Sequence, residues 1–500
     1  MTTVVDAPSV VGESTPQDVC RVVAAAAAAA PAVVAATPAE RAAWLCAIAD
    51  AVVAQADSLA ALAHEETGLG LPRLDGEVLR CANQLRFYAD VCIEGSWLGA
   101  TIDHATATTP DLRRIQASVG PVAVFGASNF PFGFGTLGND TGSAIAAGSP
   151  VVVKGHPAHP RTHAALMDIA YDALADIGAP EGLLSAVTGL AAGEQLVLAP
   201  EIAAVAFTGS EAGGLALHRL AATRSIPIPV YAEMGTVNAV VLTTAAVHRL
   251  ADLAQGALAS FTMGMGQFCT KPGLILAPAG CGFAARLGAE LHDGPPTGVL
   301  LTVGIHEAFG HGVQNLLTNG AFAVARSDAS TPIGPSVWVL EADASLIHRE
   351  SPLLRECFGP VVLVVEYADA HQRDDLIAAL PGALVASVMT GGSADDEVAD
   401  LVKHLAPKVG RVAVDAWPTG VATLWAQQHG GPWPATTDPR ATSVGAAALA
   451  RFTRPVAYQG TPQAALPVPL QDKNAWRIVR RVDGRLRVPR EPKVAQCAVP

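Results

Sequence analysis

Apolar positions along this chain fall into two rhythms, one spaced for helices and the other for strands. From residue 37 to about residue 97 the spacing is helical, and Thr37-Pro38-Ala39-Glu40 reads as a helix start. It offers a threonine cap, a proline in the first turn and a glutamate three residues after the cap. The tract before it, residues 22–36, is apolar but mostly alanine, and Pro31 is expected to interrupt it. It falls short of the about 20 residues that span a bilayer, so it reads as a packed helix and not as an anchor. Over residues 115–125 the pattern turns to alternating and then continuous β-branched positions, broken at Gly120-Pro121, which predicts two strands meeting at a turn. Val151-Val152-Val153-Lys154 predicts a short buried strand, residues 162–177 a helix and residues 203–207 a further strand. Such alternation implies a parallel sheet with crossover connections. A second series begins near residue 238 and continues through 361–367 and 412–414. Two α/β lobes are therefore expected, with chemistry in the cleft between them and no internal repeat.

Length and charge narrow this picture. Five hundred residues exceed one small core and suit two or three lobes, and half of them are hydrophobic, so burial is ample. The net charge is −13 and no run of lysine and arginine alternates with aromatics, which argues against a nucleic-acid partner. The basic concentration at Arg480, Arg481, Arg485 and Arg487 reads as a solvated or subunit-facing strand. Eight cysteines at wide spacings, with no Cys-x-x-Cys pair, fit free thiols in a reducing compartment, hence the cytoplasm. Met1-Thr2-Thr3-Val4-Val5-Asp6 lacks the basic start of a signal peptide.

Two motifs mislead. Gly133-Phe134-Gly135-Thr136-Leu137-Gly138 matches a dinucleotide fingerprint, but the preceding strand ends near Phe125 and no acidic residue stands about 20 positions on. His306 and His311 imitate a zinc-protease helix; five residues apart, they point about 140° away from each other and cannot share an ion. No metal site is expected.

Candidate chemistry centres on Cys269 in Gly266-Gln267-Phe268-Cys269-Thr270, a glycine-bounded turn of small and polar residues where a substrate can reach a thiol. Alone, a cysteine is usually packing material. Its company is Glu233 in Ala232-Glu233-Met234-Gly235, at the end of a largely apolar strand where a carboxylate of raised pKa would serve as a base, and Asn129 in Ala127-Ser128-Asn129-Phe130-Pro131. By itself Asn129 reads as a turn asparagine.

With Phe207-Thr208-Gly209-Ser210 and Glu356-Cys357-Phe358-Gly359-Pro360, these segments in this order make the chain resemble the aldehyde dehydrogenase superfamily over nearly its whole length. Three stretches look like the branch that oxidises 2-oxoglutarate semialdehyde (2,5-dioxopentanoate), with fatty aldehyde dehydrogenases nearby. They are residues 125–131, Lys154-Gly155-His156-Pro157-Ala158-His159-Pro160, and His429-Gly430-Gly431-Pro432 through Thr442-Ser443-Val444-Gly445. The resemblance implies an aldehyde dehydrogenase-like fold of two parallel-sheet α/β lobes and a small bridging sheet. Residues 1–101 and 121–232 would form the dinucleotide-binding domain, 233–452 the catalytic domain, and 102–120 with 453–500 the bridging and oligomerisation segments of a homodimer or homotetramer.

The resemblance also assigns roles. Cys269 would add to the aldehyde, Asn129 would hold the oxyanion, and Glu233 would activate the water that hydrolyses the thioester left after hydride transfer. Lys154 would contact the adenosine ribose, Gly209 and Ser210 the pyrophosphate, and Glu356 with Phe358 the nicotinamide ribose and ring, with Gly214 as the second small residue of its helix. Pro157 stands where NAD-preferring relatives carry a glutamate, so NADP is the expected cofactor, with NAD possible. Ser128 replaces a tryptophan that often precedes the asparagine. The runner-up substrate is a medium or long-chain aldehyde, with Phe132, Phe134, Met263, Met265, Phe268 and Trp417 as a candidate apolar funnel. A non-enzymatic dinucleotide-binding scaffold is the third reading. Lys271 and Arg440 are the cations nearest the motifs that could meet a substrate carboxylate.

Overall fold

The computed structural model describes residues 12–329 and 334–489. Residues 1–11, on which the signal-peptide reading rested, and residues 490–500 of the expected bridging segment lie outside them. Four helices come first, α1 (Pro16–Ala35), α2 (Pro38–Ala54), α3 (Ala56–Thr67) and α4 (Leu71–Glu94). In α2 the Thr37 hydroxyl accepts from the Glu40 N–H while the Glu40 carboxylate accepts from the Thr37 N–H at 2.7 Å, the capping box read from the sequence.

The first helix departs from expectation. A second capping box, Thr15 with Asp18, starts it well before residue 22, and it runs through Pro31. That proline is on the exposed side, where the carbonyl freed by its missing N–H can be hydrated. The helix is 20 residues long and passes for a membrane span by length and composition, so the expected shortfall does not occur. In this fold it packs Val19, Val22, Val23 and Ala26 against the strands of the first sheet. Of the cysteines, Cys20, Cys81, Cys92, Cys269, Cys281 and Cys357 are free thiols, whereas Cys46 is disulfide-bonded, against the all-thiol expectation.

Strands β1 (Thr101–Asp103) and β2 (Leu112–Ser118) follow, and then an alternating series: β3 (Val122–Phe125), α5 (Asn139–Ala147), β4 (Val151–Lys154), α6 (Pro160–Asp176), β5 (Leu184–Val187), α7 (Leu190–Leu198), β6 (Ala204–Gly209), α8 (Glu211–Ala222) and β7 (Val230–Met234). The last five strands make a parallel sheet in the order β5-β4-β3-β6-β7. From β3 the chain builds to one side, then returns with β6 on the other. That reversal opens a crevice beyond the carboxyl ends of β3 and β6, where ligands bind in such sheets. Residues 115–125 do hold two strands, but β2 and β3 do not pair. Gly120, at φ +110°, turns the chain from one sheet into another, and β2 pairs with β1 and with β15 (Thr453–Gln459).

The second series is β8 (Asn238–Leu242), α9 (Leu250–Thr262), β9 (Pro272–Pro278), α10 (Phe283–Asp293), α11 (Val303–Thr318), β10 (Phe322–Arg326), β11 (Trp338–Ala342), β12 (Val361–Tyr367), α12 (Ala370–Ala379), β13 (Ala383–Met389), α13 (Glu397–Leu405) and β14 (Val409–Val414). Its sheet runs β10-β11-β12-β9-β8-β13-β14, parallel except for the edge pair β10 and β11. A third, mixed sheet, β15-β2-β1-β16-β17, adds β16 (Arg480–Val482) and β17 (Arg485–Arg487). Separate apolar cores lie beside each sheet, so the functional residues sit where the first two meet.

Candidate active site

Asn129 lies in the loop leaving β3, and the glycine-rich decoy motif is what winds that loop. A Cβ on Gly135 would lie 1.9 Å from the Pro131 carbonyl oxygen, and one on Gly138 would lie 2.3 Å from that of Gly133. Those glycines permit a tight turn that returns the Ala127 N–H to the Phe134 carbonyl at 2.8 Å. Asn129 is buried and its Nδ2 donates to the Gln267 carbonyl at 2.9 Å, leaving its second N–H for another acceptor.

Glu233 is on β7. A loop from the far end of the chain runs antiparallel beside it: Met234 N–H donates to Ala435 O at 2.8 Å, Ala232 N–H to Thr437 Oγ1 at 3.0 Å, and Glu233 bridges to Thr436. This loop delivers two residues that the sequence reading used only as branch markers. Ser443 Oγ donates to Glu233 Oε2, and His429 Nε2 stands 2.9 Å from Glu233 Oε1. The imidazole meets hydrogen-bond geometry with Cys269 Sγ at 3.6 Å, but not with Oε1, which is buried without such a bond. His429 is therefore aimed at the sulfur while sitting against the carboxylate. Its available signal was a histidine ahead of a Gly-Gly pair, too little to place it.

The donor atoms of Glu233, Cys269 and His429 all lie within 4.8 Å of one another, and this cluster, not His306 with His311, is the group of ligand-type side chains among the described residues. Burial raises the carboxyl pKa of Glu233, but the neighbouring His429 imidazole and the contacts of Ser443 and Cys269 outweigh it and bring the net value below the ordinary one. The expected upward shift is reversed because the carboxylate has partners. Cys269 moves the other way: burial and the negative charges of Glu233 and Glu356 hold its thiol well above the usual range.

The cysteine follows a short turn, Met263–Gly266, in which Gly264, Met265 and Gly266 all have positive φ. A Cβ on Gly266 would lie 2.2 Å from the Gly359 carbonyl oxygen, so the turn and the Glu356 segment fit together only with glycine there. Asn238 Nδ2 donates to the carbonyls of Cys269 at 2.8 Å and Lys271 at 3.0 Å. Lys271 is buried and donates to Cys357 O at 3.0 Å and Val361 O at 2.8 Å. It braces the Glu356 loop and is not free for a substrate; Arg440 is exposed and paired with Asp438.

A cavity of ≈ 520 Å³ joins these groups; its lining includes Asn129, Glu233 and Cys269 together with residues 207–210, Gly213, Glu356 and Phe358. Ser210 caps α8, accepting from the Gly213 N–H, which places the positive end of that helix at the cavity edge. Thr208 Oγ1 is buried there with no partner, a hydroxyl suited to a polar ligand. Burial raises the Glu356 carboxyl to about 7, against the opposing pull of Lys271. These residues fit a phosphate-bearing dinucleotide. Two assigned residues stand elsewhere: Gly214 faces β7, where a Cβ would lie 2.7 Å from Met234 Sδ, so its smallness serves packing and Gly213 lines the cavity. Lys154 ends β4 beside Gly193, outside the lining, while His156, held neutral at a pKa of about 3 by burial, reaches it.

The proposed apolar funnel does not converge. Phe132 is in the core under the N-terminal helices, Met265 and Trp417 pack with the second sheet, and Met263 is exposed. Phe134 and Phe268 do meet, around Phe130, with Phe130 and Phe268 edge to face at 4.9 Å.

Comparison with known proteins shows the family. Residues 8–291 match the aldehyde dehydrogenase family. The chain is 43% identical over 467 residues to alpha-ketoglutaric semialdehyde dehydrogenase 2 of Azospirillum brasilense, covering 89% of this chain and 87% of that protein. It is 39% identical to alpha-ketoglutaric semialdehyde dehydrogenase of Acinetobacter baylyi, over 90% and 88% of the respective lengths. Among solved structures, a putative aldehyde dehydrogenase from Burkholderia cenocepacia superposes with a TM-score of 0.75 at 22% identity, over 90% of this chain and 94% of that one, a likeness of fold.

Proposed function

Because the chain belongs to the aldehyde dehydrogenase family, an NAD(P)-dependent class, we propose that it oxidises 2,5-dioxopentanoate, a short ω-aldehyde acid, to the dicarboxylic acid by covalent catalysis on Cys269. The observation that carries this reading is the Cys269–His429–Glu233 cluster, whose Cys269 and Glu233 line the same cavity as the start of α8. The names of the two relatives support the substrate.

His429 Nε2 takes the thiol proton as Sγ bonds to the carbonyl carbon and the C=O electron pair moves onto oxygen. That oxyanion is met by the second N–H of Asn129 and the main-chain N–H of Cys269. Bound NAD(P)⁺ supplies the acceptor for the hydride that leaves the carbon. The acyl group then remains on sulfur as a thioester. Glu233, ionised at neutral pH, removes a proton from the attacking water, and the C–S bond breaks to release the acid, the departing sulfur taking back the proton held by His429 and Glu233 giving its own to solvent. Residues 207–210, Gly213, Glu356 and Phe358 hold the dinucleotide. NADP⁺ is accepted at least as well as NAD⁺, because Pro157 leaves no acid to repel a 2′-phosphate; a hundredfold preference for NAD⁺ in kcat/KM would overturn this. The long-chain alternative loses support with its funnel, and the intact cluster argues against a silent scaffold. The enzyme acts in the cytoplasm as a homodimer or homotetramer joined through the mixed sheet, whose edge strand β17 exposes Leu486.

The test is Glu233→Gln, which keeps size and removes basicity. It should reduce about one cofactor per site in a burst and then stall, with an acyl thioester on Cys269 visible by intact mass. Steady turnover near the wild-type rate would show that Glu233 is not the deacylation base.

A further inference from the structure

Two arginines on α4 lie over the aromatic cluster beside the thiol. Arg73 Nη2 donates to the main-chain oxygen of Asn129, and its guanidinium carbon is 4.9 Å from the Phe130 ring centre and 5.1 Å from that of Phe268. Arg80, seven residues and about two turns on, donates from Nη2 to Val421 O at 2.8 Å and lies 5.7 Å from both the Phe130 and the Phe134 ring centres. Phe130 follows Asn129 and Phe268 precedes Cys269. Both cations therefore stand behind aromatic side chains, Phe130 and Phe134 among them lining the cavity although neither arginine does, and Arg80 is close enough to feel the charge of a thiolate at Cys269.

The charges in this corner do not balance. Glu77, between the two on the same helix, is the carboxylate whose charge acts on both. Its Oε1 is committed to the N–H groups of Phe132 at 3.0 Å and Gly133 at 3.1 Å. Glu77 Oε2 and the Nε and Nη1 of Arg73 are buried without any hydrogen-bond partner. Two guanidinium groups against one carboxylate leave a sheltered positive charge with open donors, an arrangement that is costly unless an anion completes it.

We propose that Arg73, with Arg80 beside it, receives the far carboxylate of an ω-aldehyde acid while the aldehyde carbon meets Cys269, which makes α4 the element that selects short acidic aldehydes. This rests on the substrate class proposed above. A guanidinium fork matches a carboxylate in two hydrogen bonds, and the three phenylalanines offer an apolar collar for the short chain between the two ends. A neutral fatty aldehyde would leave the charge uncompensated. Through its bond to the Asn129 carbonyl, Arg73 also couples carboxylate binding to the loop that carries the oxyanion donor.

The experiment compares 5-oxopentanoate with pentanal, aldehydes of equal length with and without the carboxylate, in the wild type, Arg73→Gln, Arg80→Gln and Arg73→Lys. The ratio of KM for the acid to KM for pentanal should rise roughly tenfold to hundredfold in Arg73→Gln, and by less in Arg80→Gln and in Arg73→Lys, which covers the case of a glutamine variant that does not fold. A readout without turnover is protection of Cys269 from iodoacetamide by glutarate, expected in the wild type and weakened in both Arg73 variants. If the wild type prefers the acid but the ratio and the protection do not move in the variants, the arginine assignment is overturned while the substrate reading stands. If the wild type takes pentanal as readily as the acid and glutarate gives no protection, the substrate reading fails and this one with it.

Discussion

Cys269 is a thiol at rest, because burial and the charges of Glu233 and Glu356 oppose its thiolate. In the free enzyme its alkylation by iodoacetamide should therefore climb about tenfold per pH unit from pH 7 to 9 without levelling. Glu233→Gln removes one opposing charge, which lowers the thiol pKa, so alkylation of that variant at pH 8 should be faster than in the wild type. An unchanged rate would mean that the carboxylate does not act on the sulfur. At this scale the sequence was uneven in what it disclosed. Cys269, Glu233 and Asn129 sit in motifs whose local composition marks them, and they line one cavity. His429 and Ser443 reach Glu233 only because residues 435–437 pair with β7 from some 200 positions away, which no local pattern encodes. Arg73 and Arg80 look like any surface pair on a helix until the phenylalanines beneath them are placed.

At the scale of elements, capping and strand rhythm were legible because they depend on neighbours in sequence, as Thr37 with Glu40 and the run 151–154 show. What local rules missed were choices made by packing. Pro31 stays inside α1 because its exposed face tolerates a lost hydrogen bond, and β2 parts from β3 because each has a better partner. The turn at Met263–Gly266 gives a test of such fitting. Gly266→Ala would drive a Cβ into the Gly359 carbonyl from a positive φ, shifting the loop that bears Cys269. A displacement of about 1 Å should lower kcat/KM roughly 100-fold, with far-ultraviolet circular dichroism unchanged. Wild-type activity in that variant would show that the loop has slack.

For the whole molecule, a dinucleotide held as proposed in the cavity between the two sheets would touch both, so its binding should stabilise the fold as a unit. At about 100 times its Kd, NADP⁺ should add about 2.7 kcal/mol, seen as a higher Tm. Under the proposed roles, in which the thiol forms the adduct and does little to hold the cofactor, Cys269→Ala should abolish aldehyde oxidation and keep this shift. Loss of the shift would place Cys269 in cofactor binding. The loop that brings His429 to Cys269 has a consequence for biosynthesis. The two residues are 160 positions apart, and at about 5–20 residues per second of synthesis Cys269 leaves the ribosome roughly 10 to 30 s before His429. Through that interval a nascent chain carries an unassembled thiol, so a message truncated before codon 429 would yield a protein that can be alkylated but cannot turn over.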